Sequence, residues 1–100
     1  RKVGVTANAI ISLQRCMHVE FLGIPRQRAG VADLELEART LGQLLDVLAD
    51  RFPDLRELIV DGELHPSVVA NLNGEEFVSD PETEFAEDDR VLILSADVGG

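Results

Sequence analysis

One cysteine, one lysine and one methionine are all that 100 residues provide of these three types. A single cysteine excludes an internal disulfide framework and a multi-cysteine zinc site. Long apolar runs are missing too. None approaches the roughly 20 residues that a membrane-spanning helix needs. Positive charge is scarce, with nine basic against nineteen acidic residues and a net charge of −10. That balance argues against a nucleic-acid partner, because phosphate binding draws its affinity from Lys and Arg. There is no Gly-rich phosphate loop, no Ser-His-Asp context and no interleaving of basic and aromatic residues.

What is present fits one domain with one core. The charge is uneven along the chain. Residues 1–28 carry five basic residues and one acid, whereas residues 29–100 carry four basic and eighteen acidic. The bulk of the domain is an anion suited to a cationic partner surface. The first residue is Arg1 and the only methionine is Met17. Residues 1–16 are expected to be a loosely ordered or extraneous extension, with the working domain over 17–100. Val3 to Leu13 is mildly apolar, but its small-residue site Ala7-Asn8-Ala9 falls inside the run, unlike a secretory signal. The expected compartment is the cytoplasm.

Met17, Val19 and Phe21 alternate with His18 and Glu20, which predicts a strand with one buried face. Gly23, Pro25 and Gly30 then read as a turn, and Leu34 and Leu36 among Asp33, Glu35 and Glu37 as the second strand of a hairpin. The period changes at Leu41, Leu44, Leu45, Leu48 and Phe52, one stripe of a helix. Thr40 and Gln43 form a capping-box pattern at its start, and Pro53 stops it. A short helical turn is expected over Asp54 to Val60, ended by Asp61-Gly62. Val68 to Leu72 is a third strand, Asn73-Gly74 a tight turn and Glu75 to Val78 a short strand. The acid-rich segment Asp80 to Asp89 reads as a solvated loop. Val91 to Leu94 is continuously apolar, the pattern of a central strand buried on both faces. The sum is an α+β, β-grasp (ubiquitin-like) fold: a mixed sheet packed on one main helix, with the last strand beside the first.

Conventional chemistry finds little footing. Cys16 lacks an arguable activating partner, and His18 and His65 are far apart in sequence. Asp80, Glu82, Glu84, Glu87, Asp88 and Asp89 lack the glycine and ligand rhythm of a calcium loop. No catalytic residue and no metal ligand is assigned. The tail is different. Ser95-Ala96-Asp97-Val98-Gly99-Gly100 follows directly on a central strand. Gly-Gly has no Cβ, so such a tail can enter a tunnel that any side chain would block. The group it presents is the α-carboxylate of Gly100, an electrophile only once joined to a good leaving group.

In this order the chain resembles the MoaD/ThiS family of ubiquitin-like sulfur carriers, nearer the branch of the molybdopterin synthase small subunit. The likeness spans about Met17 to Gly100. It rests on Met17-His18-Val19-Glu20-Phe21-Leu22-Gly23, Arg26, Gly30, the Leu41-Leu44-Leu45-Leu48 helix, Leu72-Asn73-Gly74-Glu75-Glu76, Asp89-Arg90-Val91 and Gly99-Gly100. The resemblance implies a non-catalytic protein co-substrate that binds no permanent cofactor. A ubiquitin-activating-like adenylyltransferase would use ATP to adenylate Gly100, and a sulfur donor would convert it to a thiocarboxylate. Asp97, Val98, Gly99 and Gly100 would then enter a sulfur-accepting enzyme such as the molybdopterin synthase large subunit. Two positions depart from the branch. Leu94-Ser95-Ala96-Asp97 stands where a Phe-Pro-Pro-Val type run is common, which implies a looser tail, and Asp88 stands where Gly is frequent. The first departure leaves sulfur delivery to thiamin or cysteine synthesis open. A ubiquitin-like protein modifier or a non-covalent interaction module is the alternative of another class, although Lys2 is the only lysine that could carry a self-linked chain.

Overall fold

The computed structural model describes residues 16–96. Residues 1–15 of the expected extension therefore lie outside the described residues. Cys16 opens β1 (Cys16–Phe21), which pairs antiparallel with β2 (Asp33–Glu37) in the register Met17–Leu36 and Val19–Leu34. The last strand, β7 (Arg90–Ser95), runs parallel to β1 with Val19 beside Val91 and Phe21 beside Ile93. On its other side it pairs antiparallel with β5 (Val68–Leu72), and β6 (Glu76–Val78) closes that edge. The five-stranded order is β2-β1-β7-β5-β6. The expected mixed β-grasp sheet, with first and last strands at its centre, is what the molecule forms.

One face of this sheet is covered by α2 (Leu41–Arg51), whose Leu41, Leu44, Leu45 and Leu48 are buried against Met17, Val19, Phe21, Val91 and Ile93. Phe21 and Phe52 meet edge to face at 5.9 Å and 77°. The helix begins as its sequence requires: Thr40 Oγ1 accepts from the Gln43 N–H at 3.2 Å. The Gln43 side chain returns a bond, but to the Arg39 N–H at 2.8 Å, one residue before the cap.

Three expectations need correction. Gly23 to Gly30 is not a bare turn: Ile24–Ala29 is a short helix, α1, with Pro25 in its first turn and Gly30 left-handed after its last. The Gly and Pro signals were boundaries of an element and not a substitute for one. The helical turn after Pro53 stops at Leu58 as a 3-10 helix (Pro53–Leu58). Ile59–Val60 (β3) then forms a hairpin with Glu63–Leu64 (β4) across Asp61-Gly62, both residues at positive φ as such a two-residue turn demands.

The acidic segment is the solvated loop expected, with a backbone that does more than its charges suggest. Its carboxylates are largely exposed, but its backbone is docked on α2. The Leu41 N–H donates to the Thr83 carbonyl and the Gly42 N–H to that of Pro81, at 2.9 and 2.8 Å. With the Thr40 cap, the first three N–H groups of the helix are thereby satisfied. Gly42 lacks a side chain where a Cβ would lie 3.2 Å from the Pro81 oxygen. At the loop's far end, Asp89 accepts from the Ala86 N–H and the Asn73 side chain, while Asn73 Oδ1 accepts from the Arg90 N–H. The third correction is β7: Val91 and Ile93 are buried, but Leu92 and Leu94 are only half-buried on the opposite face.

Leu45 is fully buried beneath the sheet. Leu45→Ala is expected to cost about 2–5 kcal/mol of unfolding free energy. A urea titration reads this as a lower midpoint at an unchanged slope.

Candidate functional site

Asp97, Val98, Gly99 and Gly100, the residues singled out in the sequence, lie outside the described residues. The structure does place the base of that tail. Because β1 and β7 are parallel, the chain leaves β1 at Phe21 and β7 at Ser95 on the same end of the sheet. The Leu22 N–H continues the pairing to the Ile93 carbonyl at 2.9 Å. Gly23 then turns the chain with φ 68° and ψ −136°, a combination that side-chain-bearing residues rarely adopt. The turn aims the Ile24 N–H at Ser95 Oγ, 3.0 Å away. On the opposite side the Ala96 N–H donates to the Ser67 carbonyl at 2.7 Å. The missing prolines therefore do not leave Ser95 and Ala96 loose. Hydrogen bonds that need a hydroxyl and an N–H restrain them instead.

The sheet face away from α2 reads out residue by residue from the register. One cross-strand row runs Asp33, Glu20, Leu92, Asn71, Phe77 from β2 to β6. The next row toward the tail places Leu94 beside Val69, with Leu22 one step beyond the Phe21–Ile93 pair. This face is thus divided. Its β2–β1 half carries Asp33, Glu35, Glu37 and Glu20, and its β7–β5–β6 half carries Leu92, Leu94, Val69 and Phe77. Phe77 is 67% exposed and Leu22 41%. Beside Phe77 lies a groove of about 270 Å³, lined also by Leu64, His65, Val69 and Val78. Asn71 Oδ1, in the same row, is a buried acceptor without a partner. An exposed apolar patch rimmed by charge, next to a tail base, has the make-up of a docking surface.

The patch was missed in the sequence, and a signal for it existed. Phe77 follows Glu75-Glu76 in a strand whose alternation points it away from the core. The unbroken Val91 to Leu94 run likewise meant one buried face and one patterned for contact. The other candidates are dispersed. Cys16 sits at the end of β1 opposite the tail base, across from Glu37. His18 lies between Glu35 and Arg90, and Arg90 pairs with Glu20 at 3.1 Å. His65 Nδ1 accepts from the Ser67 N–H at 3.0 Å, a local turn contact. Among the described residues, no group of three or more His, Cys, Asp or Glu could hold a metal ion, and no helix is long and apolar enough to cross a membrane.

No curated protein sequence matches the chain. Solved structures do. SAMP1 from Haloferax volcanii is 23% identical with a TM-score of 0.71, covering 85% of this chain and 99% of its own. A putative molybdopterin converting factor subunit 1 from Pyrococcus furiosus is 22% identical with a TM-score of 0.68, covering 80% and 95%. A chain of the BexX/CysO complex from Amycolatopsis orientalis is 25% identical with a TM-score of 0.70, covering 84% and 99%. At these identities the first two establish the fold. The ThiS family model matches residues 19–100, nearly the whole of the expected domain, and so includes both the apolar patch and the tail. The chain belongs to the ThiS family, small β-grasp proteins that include sulfur carriers.

Proposed function

We propose that this protein is a sulfur carrier whose reactive group is the carboxylate of Gly100. In the first step that carboxylate attacks the α-phosphorus of ATP on a ubiquitin-activating-like adenylyltransferase, and pyrophosphate leaves. A sulfide-level donor then attacks the acyl carbon and AMP leaves, giving the thiocarboxylate. The tail carries this sulfur into an acceptor enzyme and returns as a carboxylate. The observation that carries the reading is a held tail base beside an exposed apolar patch that runs from Phe77, in the row of Leu92, to Leu94 and Val69, in the row next to that base. Family membership supports it. The domain contributes docking and reach, and the chemistry belongs to its partners.

The acceptor we favour is the large subunit of a molybdopterin synthase, supported by the sequence pattern and by the likeness to a putative molybdopterin converting factor subunit. The likeness to CysO in a complex with BexX supports acceptors of another kind, which Leu94-Ser95-Ala96-Asp97 also accommodates. In either case the docking partner presents an apolar spot flanked by Lys and Arg, matching the divided face.

Incubation with the activating enzyme, ATP and a sulfide source is expected to raise the intact mass by the difference between sulfur and oxygen. Deleting Gly100 abolishes the gain. Conjugates to other proteins without that gain would establish a modifier, and neither product with a competent enzyme would refute both. Phe77→Ser tests the docking face. As a surface change it should move folding stability by no more than about 0.5 kcal/mol. As a loss of an aromatic anchor it should weaken partner binding by about 1–3 kcal/mol in calorimetry. Raising the salt concentration should slow association and leave dissociation almost unchanged, as stopped-flow mixing would show.

A further inference from the structure

We propose that the Ser95 hydroxyl is a positioning residue that aims the C-terminal tail, an assignment that rests on the carrier reading. Ser95 is the buried polar residue among those described, 4% exposed in a core otherwise built of apolar side chains. A hydroxyl in such a place is costly unless bonded. Its bond is to the Ile24 N–H, which opens α1 and has no partner within that helix. Ser95 Oγ thus satisfies the Ile24 N–H by accepting from it, and the bond ties the end of β7 to the corner after β1.

The corner is shaped for this contact. Gly23 holds a conformation reserved almost entirely for glycine, and Pro25 behind it is buried. The tail base is gripped from two sides, by α1 through Ser95 Oγ and by the approach to β5 through the Ala96 N–H and Ser67 carbonyl. A single grip would leave a hinge, and two define a direction.

Direction matters because of leverage. Four residues separate Ala96 from the Gly100 carboxylate, a reach of at most about 14 Å in extended chain. For a fully extended tail of that length, a swing of about 20° at the base would displace the far end by about 5 Å. Catalysis on a bound group is lost with far smaller misplacement. The docking patch of Leu22, Leu94 and Phe77 does not include the Ser95 hydroxyl, so affinity and aim are separable.

The test is Ser95→Ala in ATP–pyrophosphate exchange with the activating enzyme, at a temperature where wild type and variant are both folded. Turnover is expected to fall about five- to tenfold, the equilibrium worth of one net hydrogen bond, with KM for the carrier nearly unchanged. Ser95→Thr keeps the hydroxyl and should recover most of the loss. Unchanged turnover in folded Ser95→Ala, or a raised KM with normal turnover, would overturn the assignment. Backbone ¹⁵N relaxation at Asp97 and Val98 reads the same property without any enzyme. Order there should drop in Ser95→Ala, and no drop would refute the aiming role even if Ser95→Thr fails to fold. A wild-type chain that is never adenylated would sink the carrier reading instead, leaving the relaxation result to stand by itself.

Discussion

The parallel pairing of the first and last strands is the constraint from which the rest follows. Val19 and Val91 face each other at the centre of the sheet, both fully buried. Parallel neighbours cannot be joined by a tight turn, so the chain between them must cross over, and α2 is the cover that crossing supplies. The same direction of travel brings the exits of both strands to one end. Had β7 run antiparallel to β1, Ser95 would lie near Cys16 and nowhere near Ile24. The hydrogen bond between Ser95 and Ile24 is therefore a consequence of topology first and of residue choice second.

A sheet covered on one face by a single helix layer has a second face to dispose of. Here that face is not uniformly polar, and among the described residues nothing covers it. The edge strand β2 carries outward acids, a pattern that discourages pairing with other strands. Asp33 sits directly opposite Glu20, a juxtaposition that disfavours folding slightly and that Arg90 relieves from the other side. The apolar half carries the contrary cost of solvent exposure. Both costs are those that the proposed docking face would carry in the free protein.

The sequence revealed much of this and hid the rest for definable reasons. The leucine stripe and Thr40–Gln43 signal named α2 because its burial is periodic and its cap uses side chains. The strands β1, β2 and β5 declared themselves by alternation or apolar runs. The helix α1 did not, since six residues with little apolar periodicity are held by the tertiary bond to Ser95 and by buried Pro25. The two-residue strands β3 and β4 fall below the length at which a period can be seen. The acidic loop is the solvated loop its composition indicates, but composition reports only side chains and so hid the docking through the carbonyls of Pro81 and Thr83. Of the candidate site, Gly99-Gly100 drew notice in the sequence but lie outside the described residues, whereas the patch required knowing which face of β7 the helix covers.

The departure at Leu94-Ser95-Ala96-Asp97 illustrates two physical routes to one requirement. Prolines fix a backbone through the ring, at every stage of folding and independently of neighbours. Ser95 and Ala96 fix it through bonds to Ile24 and Ser67, which exist only when β1, α1 and the approach to β5 are in place. The restraint is thereby made conditional on the native sheet. It also follows that changes at Gly23, though remote in sequence, act on the same end of the molecule as changes at Ser95, because one supplies the conformation through which the other is reached.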